Sequence, residues 1–245
     1  MVLLCSFQAS AWNPKIVTSG TSTVSAGKAT PTADVSNTNT ATSSSTISVN
    51  INPTDSLSNK LLIVVVGWEN ISGTITCDSV AYDADGDAHA MIKVDDQAYE
   101  AVTYNGVSMW YLLDASIDDT EQDIVADFST GPNGASIHAF VFYNVKQQAP
   151  EATGTSTTDT STTPSATVTT VTNGSLVITA VSNDLSTNDA TIGSGTEFPA
   201  TGTSQNQHLD SGYIIDAVFG AQAIAWTIDE ANWGQVITAF EAADL

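Results

Sequence analysis

The hydrophobic and polar positions of this chain follow a strand-like order that occurs twice. In the first copy, Ile47, Val49 and Ile51 alternate with polar residues, which is the period-2 pattern of a half-buried strand. The apolar run 61–66 comes next and is closed by Gly67, and its length predicts a strand covered on both faces. The same copy continues with predicted strands at 74–80, 88–94, 109–113, 124–128 and 138–142.

The second copy keeps this order with shorter connections. Its alternating and apolar runs predict strands at 166–171, 176–181, 213–216, 223–227 and 236–240. Residues 149–164 lie between the copies, contain two prolines and many Thr and Ser residues, and hold no large apolar side chain. That composition predicts a linker. A duplicated strand series with no chemistry at matching positions points to architecture and not to catalysis.

One local turn is predicted within the first copy. Asn105-Gly106 lies between two strand-like stretches, 99–104 and 107–113. This dipeptide readily adopts the positive φ angles of a two-residue hairpin turn. We therefore expect a β-hairpin that reverses at Asn105-Gly106.

These patterns predict an all-β fold with a duplicated antiparallel β-sandwich or jelly-roll-like architecture and an extended N-terminal arm. The predicted organisation has an arm at 1–45, a first β-sandwich repeat at 46–148, a Thr/Ser-rich linker at 149–164 and a second repeat at 165–245. Two arrangements stay open, namely one pseudo-symmetric domain or two separate lobes.

Composition and charge narrow the classes of partner. Hydrophobic residues make up 42% of the 245 residues, which is enough for a sizeable core. Acidic residues number 27 against 5 basic ones, so the net charge is −22. Such a surface repels phosphate backbones and anionic lipid, so we expect neither nucleic-acid nor membrane-surface binding. No apolar run approaches the roughly 18 residues of a membrane-spanning helix.

The first eleven residues and the two cysteines bear on the compartment. Residues 1–11 are apolar and end in small residues, but no basic residue precedes them and the apolar part is short for a secretion signal. We therefore interpret them as a structured strand or arm. Cys5 and Cys77 are far apart in sequence, and their number does not distinguish a disulfide from two free thiols.

The strongest metal candidate is the acidic turn at 83–87. Asp83, Asp85 and Asp87 alternate around a glycine, and calcium prefers several such oxygen ligands. The spacing departs from an EF-hand loop, because the glycine comes one position early and no closing glutamate follows. The competing interpretation is a solvated acidic turn.

Catalytic motifs are missing from the sequence, and aromatic residues offer one binding hypothesis. No serine lies in a Gly-x-Ser-x-Gly turn, and His138 alternates within a predicted strand, which favours a core role. We therefore predict no enzymatic activity. Trp68 and Trp233 lie near strand ends, where exposed rings would stack on sugars, whereas Trp110 and Trp226 are predicted to be core residues.

The order of strands resembles repetitive β-sandwich proteins of phage virions and bacterial cell surfaces. The resemblance covers about residues 46–245 and depends on the strand 59–66, the phrases 79–82 and 102–109, the strand 109–113 and the closing Ala-Phe strands. It implies a non-enzymatic role with no shared catalytic residues. The chain departs from it by the added residues 83–100.

The leading hypothesis is a virion structural protein, either a head-decoration, fibre or tail-associated component on the virion surface. It would form homo-oligomers and pack on other virion or surface structural proteins, with its arm exchanging strand edges with a neighbour. The alternative is a secreted or cell-surface adhesin, a carbohydrate-binding module that uses exposed aromatics and calcium, or a filament subunit.

Overall fold

The computed structural model describes residues 27–83, 86, 88–100, 104–185, 190–198 and 206–245. Seventeen β-strands and one short 3-10 turn, Asp114–Ser116, form the regular structure of these residues. Every pair of neighbouring strands in the sheets is antiparallel. The predicted all-β fold is therefore confirmed. None of the described segments is a helix with the length and apolar character needed to cross a membrane.

The first half of the chain forms two sheets that face each other. Its strands are β1 (Thr32–Thr42), β2 (Thr46–Ile51), β3 (Leu61–Asn70), β4 (Cys77–Tyr82), β5 (His89–Ala90), β6 (Ile92–Glu100), β7 (Tyr104–Leu113), β8 (Gln122–Phe128) and β9 (Gly134–Tyr143). One sheet has the order β1-β9-β3-β7-β6, and the other has the order β2-β8-β4-β5. Apart from the edge strand β6, each sheet has four strands. The order of these eight strands in two facing sheets is that of a jelly roll.

The second half repeats this topology. Its strands are β10 (Ala152–Ser161), β11 (Ser165–Thr170), β12 (Ser175–Asn183), β13 (Thr191–Ile192), β14 (Thr196–Glu197), β15 (His208–Ala217), β16 (Gly220–Thr227) and β17 (Ala231–Phe240). The sheet orders are β10-β17-β12-β15-β14 and β11-β16-β13. Strands β10, β11, β12, β15, β16 and β17 thus occupy the places of β1, β2, β3, β7, β8 and β9. The duplication predicted from the strand pattern is confirmed at the level of topology.

The four sheets stack as four layers. The two five-stranded sheets form the middle layers, and apolar side chains such as Ile63 and Phe140 from one meet Ile178 and Phe240 from the other. The smaller sheets cover the outer side of each middle layer, and Val49 and Val64 share the first of these outer cores. Because β3 and β12 lie in middle layers, all nine residues of β12 and nine of the ten in β3 are buried. The continuous apolar runs predicted as doubly covered strands are explained by this position.

The side edges of the two sandwiches are closed in different ways. In the first half, the Asn37 and Asn39 side chains on β1 donate hydrogen bonds of 2.9 and 2.7 Å to the backbone carbonyls of Asn50 and Ser48 on β2. In the second half, β10 approaches β11 so closely that a Cβ on Gly154 would lie 2.6 Å from the Thr167 carbonyl oxygen. The edge of the first half is thus bridged by side-chain amides. The edge of the second half is closed by direct approach of two backbones, which is possible because Gly154 has no side chain.

The hairpin prediction at Asn105-Gly106 is wrong in its position. Both residues lie within β7, where they pair with Tyr99 and Ala98 of β6, so they do not form the turn of the hairpin. Gly106 is needed for a different reason. A Cβ at this position would collide with the indole ring of Trp68, so the glycine makes room for a core side chain instead of a turn.

Polar segments predicted as an arm and a linker contain the edge strands. Strand β1 lies within residues 1–45 and pairs with β9 of its own chain, while residues 1–26 lie outside the described part. Strand β10 lies within residues 149–164 and pairs with β17. The division into domains stays a prediction, but these two segments extend the two middle sheets by one strand each.

Residues 27–29 lie beside the last three residues of the chain. Ala29 N–H donates to the Ala243 carbonyl at 2.9 Å, and Leu245 N–H donates to the Gly27 carbonyl at 2.9 Å. The Lys28 ammonium forms ion pairs of 2.6 Å with Glu241 and Asp244, which raise its pKa. The described chain therefore begins and finishes at the same place on the surface.

Candidate functional site

The acidic turn is only partly described. Asp83 has a positive φ of 53°, and its carbonyl accepts hydrogen bonds from the backbone N–H groups of Gly86 and Ala88 at 3.1 Å. Asp85 and Asp87 lie outside the described residues. Within the described part of the chain, no group of three or more His, Cys, Asp or Glu side chains comes together in a way that would hold a metal. Calcium binding at this turn stays a prediction.

The two tryptophans expected to be exposed are buried. Trp68 is 2% exposed and Trp233 is 3% exposed. Trp68 lies against Phe128 and over Gly106, and Trp233 packs with Trp226 in a core of the second half. The expectation of an exposed platform is wrong for this pair, because residues at strand ends are still covered by the outer sheets. Their binding of sugar stays an untested prediction. Trp110 and Trp226 are core residues, as predicted.

A serine and a histidine meet in the centre of the molecule. His138 on β9 and Ser211 on β15 face each other across the middle sheets, with 2.6 Å between Nδ1 and Oγ. Both residues are buried, and burial together with the nearby His208 lowers the pKa of His138 to about 3. A serine and a histidine at this distance have the composition of a nucleophile and its base, but both side chains are buried between the two middle sheets. The core role predicted for His138 is confirmed.

Further polar residues surround this pair and give the central core a polar end. Gln207 accepts a hydrogen bond from Ser136 at 2.6 Å and donates one to Ser182 at 3.2 Å, which joins the two halves. Gly67 on β3 permits this contact, since a Cβ there would lie 2.5 Å from the Gln207 amide nitrogen. These hydrogen bonds therefore fix the position of one middle sheet on the other.

Glu69 also lies in this polar end of the core, but its carboxylate is not hydrogen-bonded within the described residues. Its carboxylate is 1% exposed, and neither oxygen has a hydrogen-bond partner within the described part of the chain. Burial, and then the nearby Asp184 carboxylate, raise the pKa of Glu69 above the ordinary value of 4.5. A buried carboxylate without hydrogen-bond donors is a cost to stability.

The cavity of about 640 Å³ at one end of the first half contains no catalytic grouping. Leu57, Leu113 and Ile117 supply apolar lining, and Lys60 is buried at its base. The Lys60 ammonium is paired with Asp119, and the Asp114 carboxylate accepts from the Asn59 N–H at 2.8 Å. The ammonium of the cavity is thus already paired with one of its carboxylates.

The outer face of the first half is acidic. Strands β2 and β8 present Thr46, Ser48 and Asn50 beside Asp127, Val125 and Asp123, and each of these three pairs is directly opposed across the two strands. Asp78 and Ser79 on β4 extend the same face, where the Ser79 hydroxyl donates to Asp127 at 3.1 Å. This surface shares the strong negative charge of the whole chain.

The described strands on the outer face of the second half carry no charged residue. The outward pairs are Ser165 with Ala225, Thr167 with Ala223 and Thr169 with Ala221. The three strands β11, β13 and β16 contain no Asp, Glu, Lys, Arg or His at any position. Because the two halves share one topology, Ala221 and Ala225 occupy the places of Asp123 and Asp127. We call the exposed residues of this sheet the uncharged face.

Sequence reasoning did not single out the uncharged face, although the signal was present. Sixteen strand residues without an ionisable group, in a chain with net charge −22, can be counted from the sequence. What the sequence did not show is that all of them belong to one sheet, whose alternate residues point outward. The pairing of β11 with β16 supplies that information.

Comparisons with known proteins report fold-level similarity only. No family model matches the chain, and no curated protein matches it. A solved structure described as the atomic structure of Sulfolobus Turreted Icosahedral Virus is 9% identical, with a TM-score of 0.30, and the match covers 85% of this chain and 90% of that chain. A second, described as the crystal structure of the STIV MCP, is 11% identical, with a TM-score of 0.28, and covers 85% of this chain and 97% of that chain.

Proposed function

We propose that this protein is a non-enzymatic structural subunit of a virion, which acts by packing against copies of itself and other coat components. The observation that carries the proposal is the jelly-roll sheet order, which occurs in both halves and is stacked into four layers around one shared central core. Jelly rolls recur in coat proteins, lectins and cupins, so fold alone leaves these classes open. The residues that would distinguish them favour the first.

The described part of the central core is filled with packed aromatic side chains. Cupin-type and lectin-type sites need an open cavity or exposed ligand-binding side chains within the sandwich. Here the central space holds packed Phe140, Phe142, Phe198 and Tyr213, whose ring centroids lie 4.2 to 6.1 Å apart. The Ser211–His138 pair and Glu69 are sealed within the same interior. What remains for function is the outer surface.

The outer surface is suited to assembly at defined places. A chain with 27 acidic and 5 basic residues repels its own copies over most of its surface. The uncharged face is a region where a neighbour can lie without opposed carboxylates, whereas the edge strands β1 and β10 each contain one aspartate. A compact four-layer body of this kind favours a component that tiles or decorates a shell over a fibre subunit.

Location in particles tests the proposal. Virus particles purified from the organism that carries this gene should contain the chain in many copies, measured by quantitative peptide mass spectrometry and by gold-labelled antibody on intact particles. A chain found on cells or in medium, and absent from particles, would instead support the adhesin or filament alternative. Peptide quantities near one copy per particle would contradict a shell component.

The predicted arm has its own test. The structure places β1 at Thr32–Thr42, so deleting residues 1–45 would remove a sheet strand along with the arm. Deleting only residues 1–26 keeps all described strands. We expect this variant to unfold at the same temperature as the full chain and to lose assembly with its neighbours; retained assembly would exclude a role of residues 1–26 in packing.

A further inference from the structure

An exposed apolar cluster lies at one end of the uncharged face. Val171 follows β11, and Val218 and Phe219 precede β16, so the two turns stand side by side. Val171 is 59% exposed, and Val218 and Phe219 are each 66% exposed. These are three of the most exposed large apolar side chains of the described residues, and contiguous apolar surface of this kind marks interaction sites in soluble proteins.

The two turns are held in place by polar contacts beneath them. The Glu151 carboxylate accepts hydrogen bonds from the Val171 N–H at 3.3 Å and from the Ser175 hydroxyl at 2.5 Å. The Phe219 N–H donates to the Asn173 side chain at 2.8 Å. The apolar side chains are therefore presented by fixed backbone, which lowers the entropy lost when a partner covers them.

The uncharged face and this cluster form one continuous surface. Strand pairing places Thr169 opposite Ala221 directly beside the two turns, with Thr167–Ala223 and Ser165–Ala225 further along. The outward side chains of β11 and β16 are all small, so an opposing sheet can approach these strands closely. Sheets stack face to face at about 10 Å when their side chains fit together.

We propose that this surface is the contact between two copies of the chain, like face against like face, with the two apolar clusters at opposite ends of the contact. The proposal rests on the proposed assembly function and names its surface. The charge of the chain favours this surface for a contact between copies. Two molecules of net charge −22 repel each other wherever carboxylates face carboxylates, and the strands of this face carry no carboxylate. A contact of this symmetry is self-complementary.

The size of the face sets the strength of the contact. Three strands about 4.8 Å apart and roughly 26 Å long cover at most about 400 Å² per copy. A stable pair of proteins usually buries about 800 Å² on each partner. We therefore expect a weak and reversible dimer, which becomes effective when many copies are held together in an assembly.

Sedimentation velocity of the full chain over a concentration series tests the contact. Wild-type protein in about 0.15 M salt, where charges are screened beyond roughly 8 Å, should shift from monomer towards dimer as concentration rises. The variant Ala221→Asp/Ala225→Asp copies the carboxylates of the first half onto this face and should weaken association at least tenfold. Phe219→Ser should weaken it in the same direction. A wild-type chain that stays monomeric throughout overturns the proposal.

A matched control uses the other half. Ser48 occupies the place of Thr167 in the shared topology, and both side chains are exposed. Thr167→Asp should weaken association, whereas Ser48→Asp should leave it unchanged, and both should keep the wild-type melting temperature. Equal effects of the two substitutions would show a general charge effect and would contradict the assigned face.

Cross-linking tests the like-to-like geometry. In a Cys5→Ser background, Ala223→Cys treated with a short bis-maleimide should give a covalent dimer, and Ser48→Cys should not. Association without this cross-link would overturn the like-to-like contact in favour of a different face. The virion proposal fails separately, by absence of the chain from particles, so the two failures are distinguishable.

Discussion

The two halves share one strand order but differ in how their sandwiches are filled. In the first half, one continuous apolar cluster joins the outer sheet to the middle sheet and includes Trp68, Tyr82 and Phe128. In the second half, two smaller clusters lie apart. The buried Gln235 donates hydrogen bonds of 3.0 Å to the Thr179 hydroxyl and to the Ile224 carbonyl. The topology therefore does not depend on any particular core packing.

This difference separates the roles of the halves. The first half combines a large core with an acidic outer face, and the second combines a divided core with an uncharged face and an apolar end. Duplicated topology with unequal surfaces is expected where one copy supplies stability and the other supplies contacts. The following variants test that interpretation, from the largest expected effect to the smallest.

Truncation of a buried tryptophan in each half compares the two cores. Trp68→Ala removes an indole from the continuous cluster, and we expect it to lower the free energy of unfolding by about 3–5 kcal/mol. Trp226→Ala removes one from a small cluster, which can collapse more fully, so its cost should be lower. Chemical denaturation of both variants measures the difference. Equal costs would show that the divided core is no weaker.

The close approach of β10 to β11 in the second half is tested by adding one methyl group at Gly154. Gly154→Ala places a Cβ against the Thr167 carbonyl, and we expect a loss of about 1–3 kcal/mol in unfolding free energy, as for overpacked sites. Thr155→Ala, on the exposed side of the same strand, is the control and should change little. A Gly154→Ala variant with wild-type stability would show that β10 moves freely away from β11.

The bridged corner of the first half should be more tolerant. Asn39→Ala removes the hydrogen bond to the Ser48 carbonyl at an exposed position, for an expected loss of about 0.5–1.5 kcal/mol. Thr38→Ala, its exposed neighbour, leaves both amide bridges in place and serves as the control. Thermal melts at matched concentration compare the two. A larger loss than that of Gly154→Ala would reverse the expected ranking of the corners.

The interface between the halves should respond to pH through Glu69. Its pKa is raised on folding, so the folded chain holds this proton more tightly than the unfolded chain does. The protonated Glu69 therefore makes its full contribution to the free energy of unfolding below the ordinary pKa of 4.5. This contribution is lost as the pH rises through the raised pKa of the folded state. Glu69→Gln should gain stability over wild type as pH rises from about 4 towards neutrality.

Melting temperatures measured at several pH values give the difference between Glu69→Gln and wild type. Glu230→Gln, at an exposed carboxylate, is the control for the loss of one negative charge. A constant difference for Glu69→Gln across this range would mean that the carboxylate does not titrate between the folded and unfolded states.

The strand series was predictable because its signals are local. Alternation in 46–51 and 165–170, and continuous apolar runs at 61–66 and 176–181, follow directly from the faces that each strand buries. Composition alone did not identify β1 and β10 as strands, because edge strands of Thr, Ser and Asn resemble an extended arm and a linker.

The errors concern contacts between distant residues. Gly106 resembled a turn residue, and its real constraint is the Trp68 ring, thirty-eight positions away in sequence. Trp68 and Trp233 resembled exposed residues because they lie near strand ends, yet other layers cover them. Continuous apolar runs indicate that a strand is covered on both faces, but they do not show which distant residues cover its ends. The acidic turn, with Asp85 and Asp87 outside the described residues, stays a sequence-level hypothesis.

Gly27 and Leu245 lie next to each other, so the order of the two halves along the chain is exchanged simply by changing where the chain is joined and where it is opened. A circular permutant that joins Leu245 to Gly27 and opens the chain near residue 149 would translate the second jelly roll first, with every described sheet intact. Should such a rearranged polypeptide reach the same native state, then the order of synthesis is irrelevant to the final architecture.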